Sequence, residues 1–208
     1  MVKKMKVPPP GLDYRPVSGV TENLSFGIIQ ADSEKGDIPN TAEGAVFKRM
    51  FPIMKPDDPK APWIDPSCFL HSVQLPPGAS DALWDAQRLA RAYDEQGFTL
   101  RDILVIVTLR FPEAETVPQL LRLHEAWRIS QEFVWSRIVS EHRVAAISVM
   151  HVPARAARPG SPHVHILIPA RELLPTGFSK FARPLGTDEG RDLMDQEWAA
   201  WRKENGLG

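Results

Sequence analysis

Two apolar segments in the last third of the chain constrain the fold most strongly, because the connection between them is short. The first, VAAISVMHV, contains His151 near its end, and the second, HVHILIPAR, begins at His163. Eleven residues, several of them proline or arginine, separate the two histidines. A parallel crossover takes a dozen residues or more and usually a helix, so the two segments are predicted to be antiparallel neighbours.

The rest of the chain alternates apolar and amphipathic segments and predicts the element order β-α-loop-β-α-β-α-β-β-α. This order predicts an α+β fold, in which a mainly antiparallel central sheet has helices stacked on a face. The predicted elements are a strand from Leu24, a helix TAEGAVFKRM capped by Asn40 or Thr41, a proline-rich loop at 52–67, a strand from Phe69, a helix capped by Ser80 or Asp81 and closed by Gly97, a strand at Ile103–Phe111, a helix opened by Thr116 with Pro118 in its first turn, the two strands above, a basic turn FSKFARPLG, and a helix from Asp188 to about Lys203.

The amino terminus differs in composition from the rest of the chain. Three lysines precede the run Pro8-Pro9-Pro10, which favours an extended, solvated path over a helix or a sheet. Residues 1–20 are therefore expected to form a basic, proline-rich tail, and residues 21–208 one domain. The tail either contacts phosphates or is simply a solvated terminus.

Bulk properties exclude some classes of protein. The chain has 25 basic and 26 acidic residues, a balance that neither requires nor excludes a polyanionic partner. Its single cysteine, Cys68, excludes a disulfide framework and a thiolate-rich zinc site. No apolar run reaches the roughly 18–20 residues of a membrane span, and no secretory signal is recognisable. We expect no membrane association and a cytoplasmic location.

The pattern His163-Val164-His165 carries the most chemical information. Side chains alternate across a strand, so both imidazoles face the same side of the sheet. The predicted hairpin brings His151 beside them. Three neutral imidazoles with open positions for water or substrate are typical of a catalytic divalent-metal site, and they are compatible with zinc, manganese, cobalt, nickel or magnesium.

The other histidines have simpler interpretations. His124 lies in the apolar stripe of a predicted helix, and His142 follows that helix, where it complements the carboxyl end. His71 begins a predicted strand that could border the histidine pair. A lone His-x-His is also common in ordinary strands, so the metal site depends on His151.

The block SVMHVPARAARPGSPHVHILIPAR resembles the signature of the MobA/MobL relaxases, which belong to the HUH (His-hydrophobic-His) endonuclease superfamily. That signature is a histidine, a short loop and then Pro-His-x-His-x-x-x-x-x-Arg. Weaker similarity extends over about residues 24–208, in LPPGASDALWDAQRLA, LVIVTLRFP, FSKFARPL and the closing RDLMDQEWAAWRKENGLG. The signature positions in this chain are His151, Pro162, His163, His165 and Arg171.

The resemblance implies a relaxase that nicks single-stranded DNA from a plasmid or mobile-element origin, with accessory mobilisation proteins as further partners. In such an enzyme a divalent ion, here manganese, magnesium or zinc, polarises the scissile phosphate. A tyrosine then attacks and forms a 5′-phosphotyrosine link. The implied metal ligands are His151, His163 and His165.

The resemblance fails at the nucleophile. The tyrosine of the family lies in the alanine-rich helix after the first strand, where this chain has Phe47. Of its two tyrosines, Tyr93 lies in a predicted amphipathic helix and is expected to be a core or rim residue. Tyr14, in the tail, remains the candidate catalytic residue, since a flexible arm can fold over an active site.

Three functional hypotheses remain open. The protein is a metal-dependent single-strand endonuclease that uses Tyr14 or a metal-activated water. Alternatively, it is a degenerate relaxase homologue that acts as an accessory or regulatory DNA-binding module. The third hypothesis is an unrelated histidine-rich metal hydrolase.

Basic residues around the two strands are expected to contact phosphates of single-stranded DNA at the rim of the histidine wall. Ordinary solvated charge is the alternative. Phe51 and Trp63 could stack on bases or cap the core. The predicted nucleic-acid-binding residues are Arg155, Arg158, Arg171, Lys180 and Arg183.

Overall fold

A six-stranded sheet forms the centre of the fold among the residues that the structure describes. The structure is a computed structural model and describes residues 19–30, 40–53, 57–58, 60–96, 102–111, 122–169 and 171–207. The strands are β1 (Gly19–Val20), β2 (Leu24–Gln30), β3 (Leu70–Gln74), β4 (Asp102–Arg110), β5 (Ala146–His151) and β6 (His163–Pro169). Their order is β1-β2-β4-β6-β5-β3, and all neighbours are antiparallel. The predicted α+β class and the β5–β6 hairpin are confirmed.

Helices and a second small sheet surround this centre. The helices are α1 (Ala42–Met50), α2 (Ala86–Asp94), α3 (Leu123–Phe133), α4 (Ser140–His142) and α5 (Asp188–Glu204), and π-helical Val134–Val139 joins α3 to α4. Short 3-10 turns lie at Asp81–Leu83, Pro153–Ala156 and Arg183–Gly186. The strands β7 (Arg171–Leu174) and β8 (Gly177–Phe181) form a separate antiparallel hairpin. Within the described residues, no helix has the length and apolarity needed to cross a bilayer.

Helices cover both faces of the sheet, whereas the sequence predicted them on one. Alternate positions of β4, β5 and β6 point to opposite faces. Ile106, Ile147 and Leu167 lie in one buried cluster with residues of α1, α2 and the β7–β8 hairpin. Val107 and Ile166 lie in the other cluster with residues of α3 and α5. Because all three central strands are apolar on both sides, a single helical layer would leave one face in water.

The helix α1 begins as the sequence predicted. Thr41 caps it, and its hydroxyl accepts a hydrogen bond from the backbone N–H of Gly44 at 3.0 Å. Asp94 of α2 supports the same end, because its carboxylate oxygens accept from the backbone N–H groups of Ala42 and Glu43. These contacts fix where α1 begins. Its last turn lies over β5 and β6.

The helix predicted after Ser80 or Asp81 begins later than expected. Ser80 caps only a single 3-10 turn, and Asp85 caps α2 by accepting from the backbone N–H of Arg88. Trp84 therefore lies outside the helix, 72% exposed, with its indole N–H donating to the Val73 carbonyl. The predicted stop at Gly97 lies outside the described residues.

The segment predicted as a basic turn is a strand. Gly177 has a positive φ of 113°, which allows a tight reversal after β7, and the chain then runs back as β8. The strand β6 accordingly ends at Pro169 and not at Arg171. The third long helix begins at Leu123, and the predicted opening at Thr116 and Pro118 lies outside the described residues.

Candidate metal centre

Three histidines meet at one end of the sheet, on the face that α1 covers. His151, the last residue of β5, lies directly opposite His163, the first residue of β6, and His165 follows on the same face. Their ring centroids are 4.7–5.4 Å apart. One ring nitrogen from each lies within 4.8 Å of the others, so these residues, the histidine cluster, could hold a metal ion. The predicted convergence of the three rings is therefore present, whereas metal binding stays a prediction.

Each ring has its second nitrogen occupied by a hydrogen bond. The Nε2–H of His151 donates to the carbonyl oxygen of Arg49 at 2.7 Å, and the Nδ1–H of His163 donates to the carbonyl oxygen of Ser161 at 2.9 Å. Since a carbonyl only accepts, these contacts leave His151 Nδ1 and His163 Nε2 with free lone pairs. Metal-binding histidines are usually oriented by such partners.

The third ring is oriented by a side chain from β4. Thr108 lies opposite His165 in the sheet, and its Oγ1 is 2.8 Å from Nδ1 of that histidine. In the tautomer in which Nδ1–H donates to the hydroxyl, Nε2 of His165 is left free. The set of free atoms is then one Nδ1 and two Nε2, all uncharged. That donor set suits zinc and manganese and leaves coordination positions open.

Burial keeps two of the rings neutral. The pKa of His165 lies well below 6.5, mainly because the ring is buried and also because His151 and His163 are close. Burial also lowers the pKa of His151, although the hydrogen bond to Arg49 opposes this. A metal displaces no proton from a neutral imidazole, so both rings are ready to coordinate at neutral pH.

A cleft of about 490 Å³ opens beside the histidine cluster. Its walls come from the proline-rich segment and from the connection between β5 and β6, and none of the described residues that line it carries a carboxylate. The guanidinium of Arg158 spans these two segments by donating to the Pro52 carbonyl at 3.2 Å. The lining residues are Pro52, Ile53, Pro66, Ser67, Cys68, Phe69, His151, Val152, Pro153, Arg155, Ala156, Arg158, Pro159 and His163.

The only thiol of the chain lines this cleft but is a poor nucleophile. Burial raises the pKa of the Cys68 thiol to about 11, although its backbone hydrogen bond opposes the shift. The thiolate is therefore scarce at neutral pH.

Two of the five predicted phosphate-binding residues lie beside the histidine cluster. Arg155 and Arg158 line the cleft, and the guanidinium carbon of Arg155 is 4.9 Å from the centre of the Phe69 ring. Both lie in the loop that joins the two histidine strands, where the sequence predicted them. Their contact with nucleic acid stays a prediction.

The other three predicted residues do not lie at the rim of the histidine cluster, which corrects that part of the expectation. The β7–β8 hairpin follows the far end of β6, and four residues of strand, about 13 Å, separate His165 from Pro169. Lys180 pairs with Glu172 at 3.2 Å, and the Arg171 guanidinium donates to the Ser179 carbonyl. Arg183 opens a turn whose neighbours Ala182 and Leu185 belong to the core on the opposite face.

The aligned tyrosine position is occupied by a core residue. Phe47 is 8% exposed, and its ring lies 4.9 Å from Phe51 and 5.7 Å from Trp63, centre to centre. The aromatic residues of this segment therefore pack on each other and not on the cleft. Tyr93 is fully buried, as predicted for a core residue. Tyr14 lies outside the described residues.

The remaining histidines lie away from the cluster. His71 shares its sheet face, but Val149 stands between it and His165 in the row of paired residues, so it borders the cluster without joining it. The side chain of His124 is 80% exposed. Burial lowers the pKa of His142, which lies in the last turn of the α3–α4 helix.

Three residues near the cluster were missed from the sequence. Thr108 could have been found as the one uncharged polar side chain in the apolar strand ILVIVTLRF. Arg110 lies opposite His163, and its carbonyl oxygen accepts from the Trp198 indole N–H and the Arg202 guanidinium, which fix the end of β4. No local pattern marks Arg49, which reaches the cluster only through the packing of α1.

Comparison with known proteins shows the fold. No family model matches the chain, and none of the curated proteins matches it. A solved structure from work on the molecular basis of vancomycin resistance transfer in Staphylococcus aureus matches with a TM-score of 0.55 and 17% identity. The match covers 67% of this chain and 70% of the other, which is a relaxase. At this identity the likeness shows a relaxase-like fold and nothing finer.

Proposed function

We propose that this chain, with its relaxase-like fold, is a metal-dependent DNA-processing protein that acts on single-stranded DNA. The observation that supports this most is the histidine cluster, in which every ring has one nitrogen in a hydrogen bond and one nitrogen from each ring lies within 4.8 Å of the others. In an ordinary surface cluster of histidines, there is no need for each of the three rings to have a hydrogen-bond partner that fixes its orientation. The ligands would be His151, His163 and His165, and the ion manganese, magnesium or zinc.

The cation, when bound, would offset the negative charge that develops on the phosphoryl oxygens during displacement. The residues of the chain supply the rest. Arg49, Ser161 and Thr108 hold the three rings in fixed orientations, which lowers the cost of reorganisation during the reaction. The cleft, apolar with two guanidinium groups, suits a nucleotide whose base lies against proline and phenylalanine.

The nucleophile in this proposal is Tyr14 or a water molecule. Val20 of β1 lies three strands from His165, through Ser25 and Thr108, which is about 14 Å. Tyr14 precedes the start of β1 by five residues, and five residues span up to about 17 Å. The chain is thus long enough for the phenol to reach the cluster. A water molecule needs no such arm.

The substrate class rests on the structural neighbour and on charge. The neighbour comes from work on resistance transfer, and the resemblance to relaxases implies a single DNA strand at an origin as the substrate. The described lining of the cleft carries two guanidinium groups and no carboxylate, which suits a polyanion. We therefore propose plasmid or mobile-element DNA as the partner, with accessory mobilisation proteins and a cytoplasmic location.

One observation favours a second candidate, a degenerate relaxase homologue that binds metal and DNA without cutting. Phe47 occupies the position aligned with the tyrosine and is part of an aromatic cluster, so the usual covalent link cannot form there. Such a protein would serve as an accessory or regulatory module.

A circular single-stranded DNA that contains a plasmid or mobile-element origin separates these two functions, since a nick anywhere in the circle gives a linear product. The purified protein is incubated with the circle and manganese, beside the His163→Ala/His165→Ala variant. Manganese-dependent linear product from the wild type alone supports the enzyme. Manganese-dependent binding without linear product supports the accessory module. Absence of both from the wild type contradicts the proposal.

A further inference from the structure

The last turn of α1 carries an arginine over the histidine cluster. The carbonyl oxygen of Arg49 accepts the hydrogen bond of His151, which fixes this residue beside the cluster. The last turn of α1 packs on β5 and β6, the two strands that carry the three histidines. A permanent cation therefore belongs to a residue that contacts the histidine cluster directly.

This guanidinium has little to bind within the protein. Its one hydrogen bond among the described residues runs from Nη1 to the Ala45 carbonyl at a long 3.4 Å, and no described carboxylate pairs with it. A guanidinium has five N–H donors, so most of them remain available. Burial lowers the pKa of Arg49, and no acidic group offsets that cost. A half-buried charge is normally paired, so the Arg49 guanidinium is suited to bind an anion that does not belong to the protein.

Several other described arginines have hydrogen-bonding or ionic partners within the protein. Arg91 pairs with Glu43 at 2.6 Å, and Arg191 pairs with Asp192 at 2.8 Å. Arg110, which shares the sheet face and lies opposite His163, directs two nitrogens to the Ser25 hydroxyl on the side away from the cluster. Among the described residues, Arg155, which lines the cleft, contacts only the Phe69 ring, whereas Arg49 is the residue whose carbonyl oxygen orients one of the histidines.

We infer that the guanidinium of Arg49 binds a phosphodiester oxyanion held at the histidine cluster. The inference rests on the proposed function and assigns its substrate contact. The guanidinium would then donate hydrogen bonds to nonbridging oxygens of the phosphate, and the ion, when bound, would offset the remaining negative charge. Arginine suits this role because its planar fork matches a pair of phosphate oxygens.

A structural role for Arg49 makes a different prediction. A cation in the last turn of a helix interacts favourably with the helix dipole, and this would be its whole contribution if no anion bound. Loss of the charge would then lower stability and leave ligand affinities unchanged. Phosphate binding predicts instead that loss of the charge lowers the affinity for a phosphodiester. It also predicts that metal affinity in the absence of phosphate is unchanged or rises, because Arg49 repels a cation.

The test uses a thymidine dinucleotide, which carries one phosphodiester, and measures its ³¹P relaxation by manganese-loaded protein. Arg49→Met should bind manganese as tightly as the wild type, or more tightly, when no phosphate is present. It should bind the dinucleotide about 10- to 100-fold more weakly. Arg49→Lys, which keeps the charge but not the fork, should be intermediate. Arg110→Met is the matched control and should stay within about twofold of the wild type.

Two results would overturn the inference: equal dinucleotide affinity in wild type and Arg49→Met, or weaker manganese binding by Arg49→Met without phosphate. If Arg49→Met does not fold, Arg49→Lys decides, since dinucleotide affinity equal to that of the wild type would contradict a fork on phosphate. If the wild type cleaves circular DNA but the Arg49 variants bind the dinucleotide as tightly as the wild type, the phosphate contact is contradicted and the proposed function is not. No cleavage of circular DNA by the wild type, together with weaker dinucleotide binding by Arg49→Met, would support the phosphate contact and contradict the enzymatic function.

Discussion

The hydroxyl oxygen of Thr108 lies 2.8 Å from Nδ1 of His165 and links β4 to the histidine strand β6. Burial is the main cause of the lowered pKa of His165, and this hydroxyl is the hydrogen-bond partner that orients the ring. The carbonyl oxygens that hold His151 and His163 cannot be removed by mutation, whereas this hydroxyl can. Thr108 is therefore the position at which the orientation of a ring can be tested directly.

Replacing Thr108 by valine should weaken metal binding. Valine keeps the shape but leaves Nδ1 of His165 without a partner, and loss of such a contact typically costs about 10- to 100-fold in metal affinity. Calorimetric titration with manganese measures the change, with Thr108→Ser as the control that retains the hydroxyl. Equal affinities in all three proteins would show that the contact does not orient a ligand.

Removing the paired histidines should abolish metal binding. His163→Ala/His165→Ala leaves one imidazole, which is too few to hold a divalent ion tightly. The matched control is His71→Ala, because His71 faces the same side of the sheet but is separated from His165 by Val149. Both variants are titrated with manganese and zinc. If His71→Ala bound metal as weakly as the double variant, the ion would not be held by the histidine cluster as proposed.

The metal-free protein should lose stability as the pH falls below the usual histidine value. Burial lowers the pKa of His165 and of His151 below 6.5, so the unfolded chain takes up protons that the folded chain does not. Above pH 6.5 both states are neutral and this contribution is absent. Below it, the free energy of unfolding falls by up to about 1.4 kcal/mol per pH unit for each such proton, until the folded-state pKa is reached.

Urea unfolding between pH 5 and pH 8 measures this slope. His165→Gln should show a shallower dependence on pH than the wild type, because one of the buried imidazoles is gone. His124→Gln, which changes an exposed side chain, should follow the wild type. A slope unchanged by His165→Gln would mean that the ring is not buried as described.

Restoring a tyrosine at the aligned position should not restore a covalent link. The ring of Phe47 is packed against Phe51 and Trp63, and Phe47 does not line the cleft. The added hydroxyl of Phe47→Tyr would be buried, and we expect a loss of about 1–2 kcal/mol in the free energy of unfolding. Gel electrophoresis under denaturing conditions detects any adduct with labelled DNA. An adduct with this variant would show that α1 can present its residue 47 to the metal centre.

The salt dependence of DNA binding should distinguish the two groups of basic residues. Arg155 lines the cleft, so Arg155→Ala should reduce the slope of log affinity against log salt by about 0.7, as expected for one phosphate contact with a single strand. Lys180 lies at the far end of the sheet and pairs with Glu172, so Lys180→Ala should change the slope less. A larger effect at Lys180 would move the path of the DNA to the β7–β8 hairpin.

Much of the fold followed from local patterns. The short connection before His163 predicted the hairpin, because eleven residues of this composition cannot supply a parallel crossover. The i, i+2 spacing of His163 and His165 placed both rings on one face for the same kind of reason, since side chains alternate along a strand. Thr41 was predicted as a cap because a hydroxyl before an apolar helix accepts a backbone N–H.

Errors arose where the deciding contact is distant in sequence. Lys180 and Arg171 were expected near the histidines, but Gly177 turns the chain into a hairpin at the opposite end of β6. Trp84 was predicted to lie in a helix, yet its indole donates to the Val73 carbonyl at the edge of the sheet.

The sequence by itself determined the strand pair, its antiparallel direction and the shared face of two histidines, all of which depend on neighbours within about twenty residues. Only the tertiary structure decided which groups orient the rings and which cation stands beside them. Thr108 lies 57 residues from His165, and the Arg49 carbonyl lies 102 residues from His151. Contacts at such separations arise from the packing of a helix on a sheet and from the order of its strands, and no local periodicity encodes them.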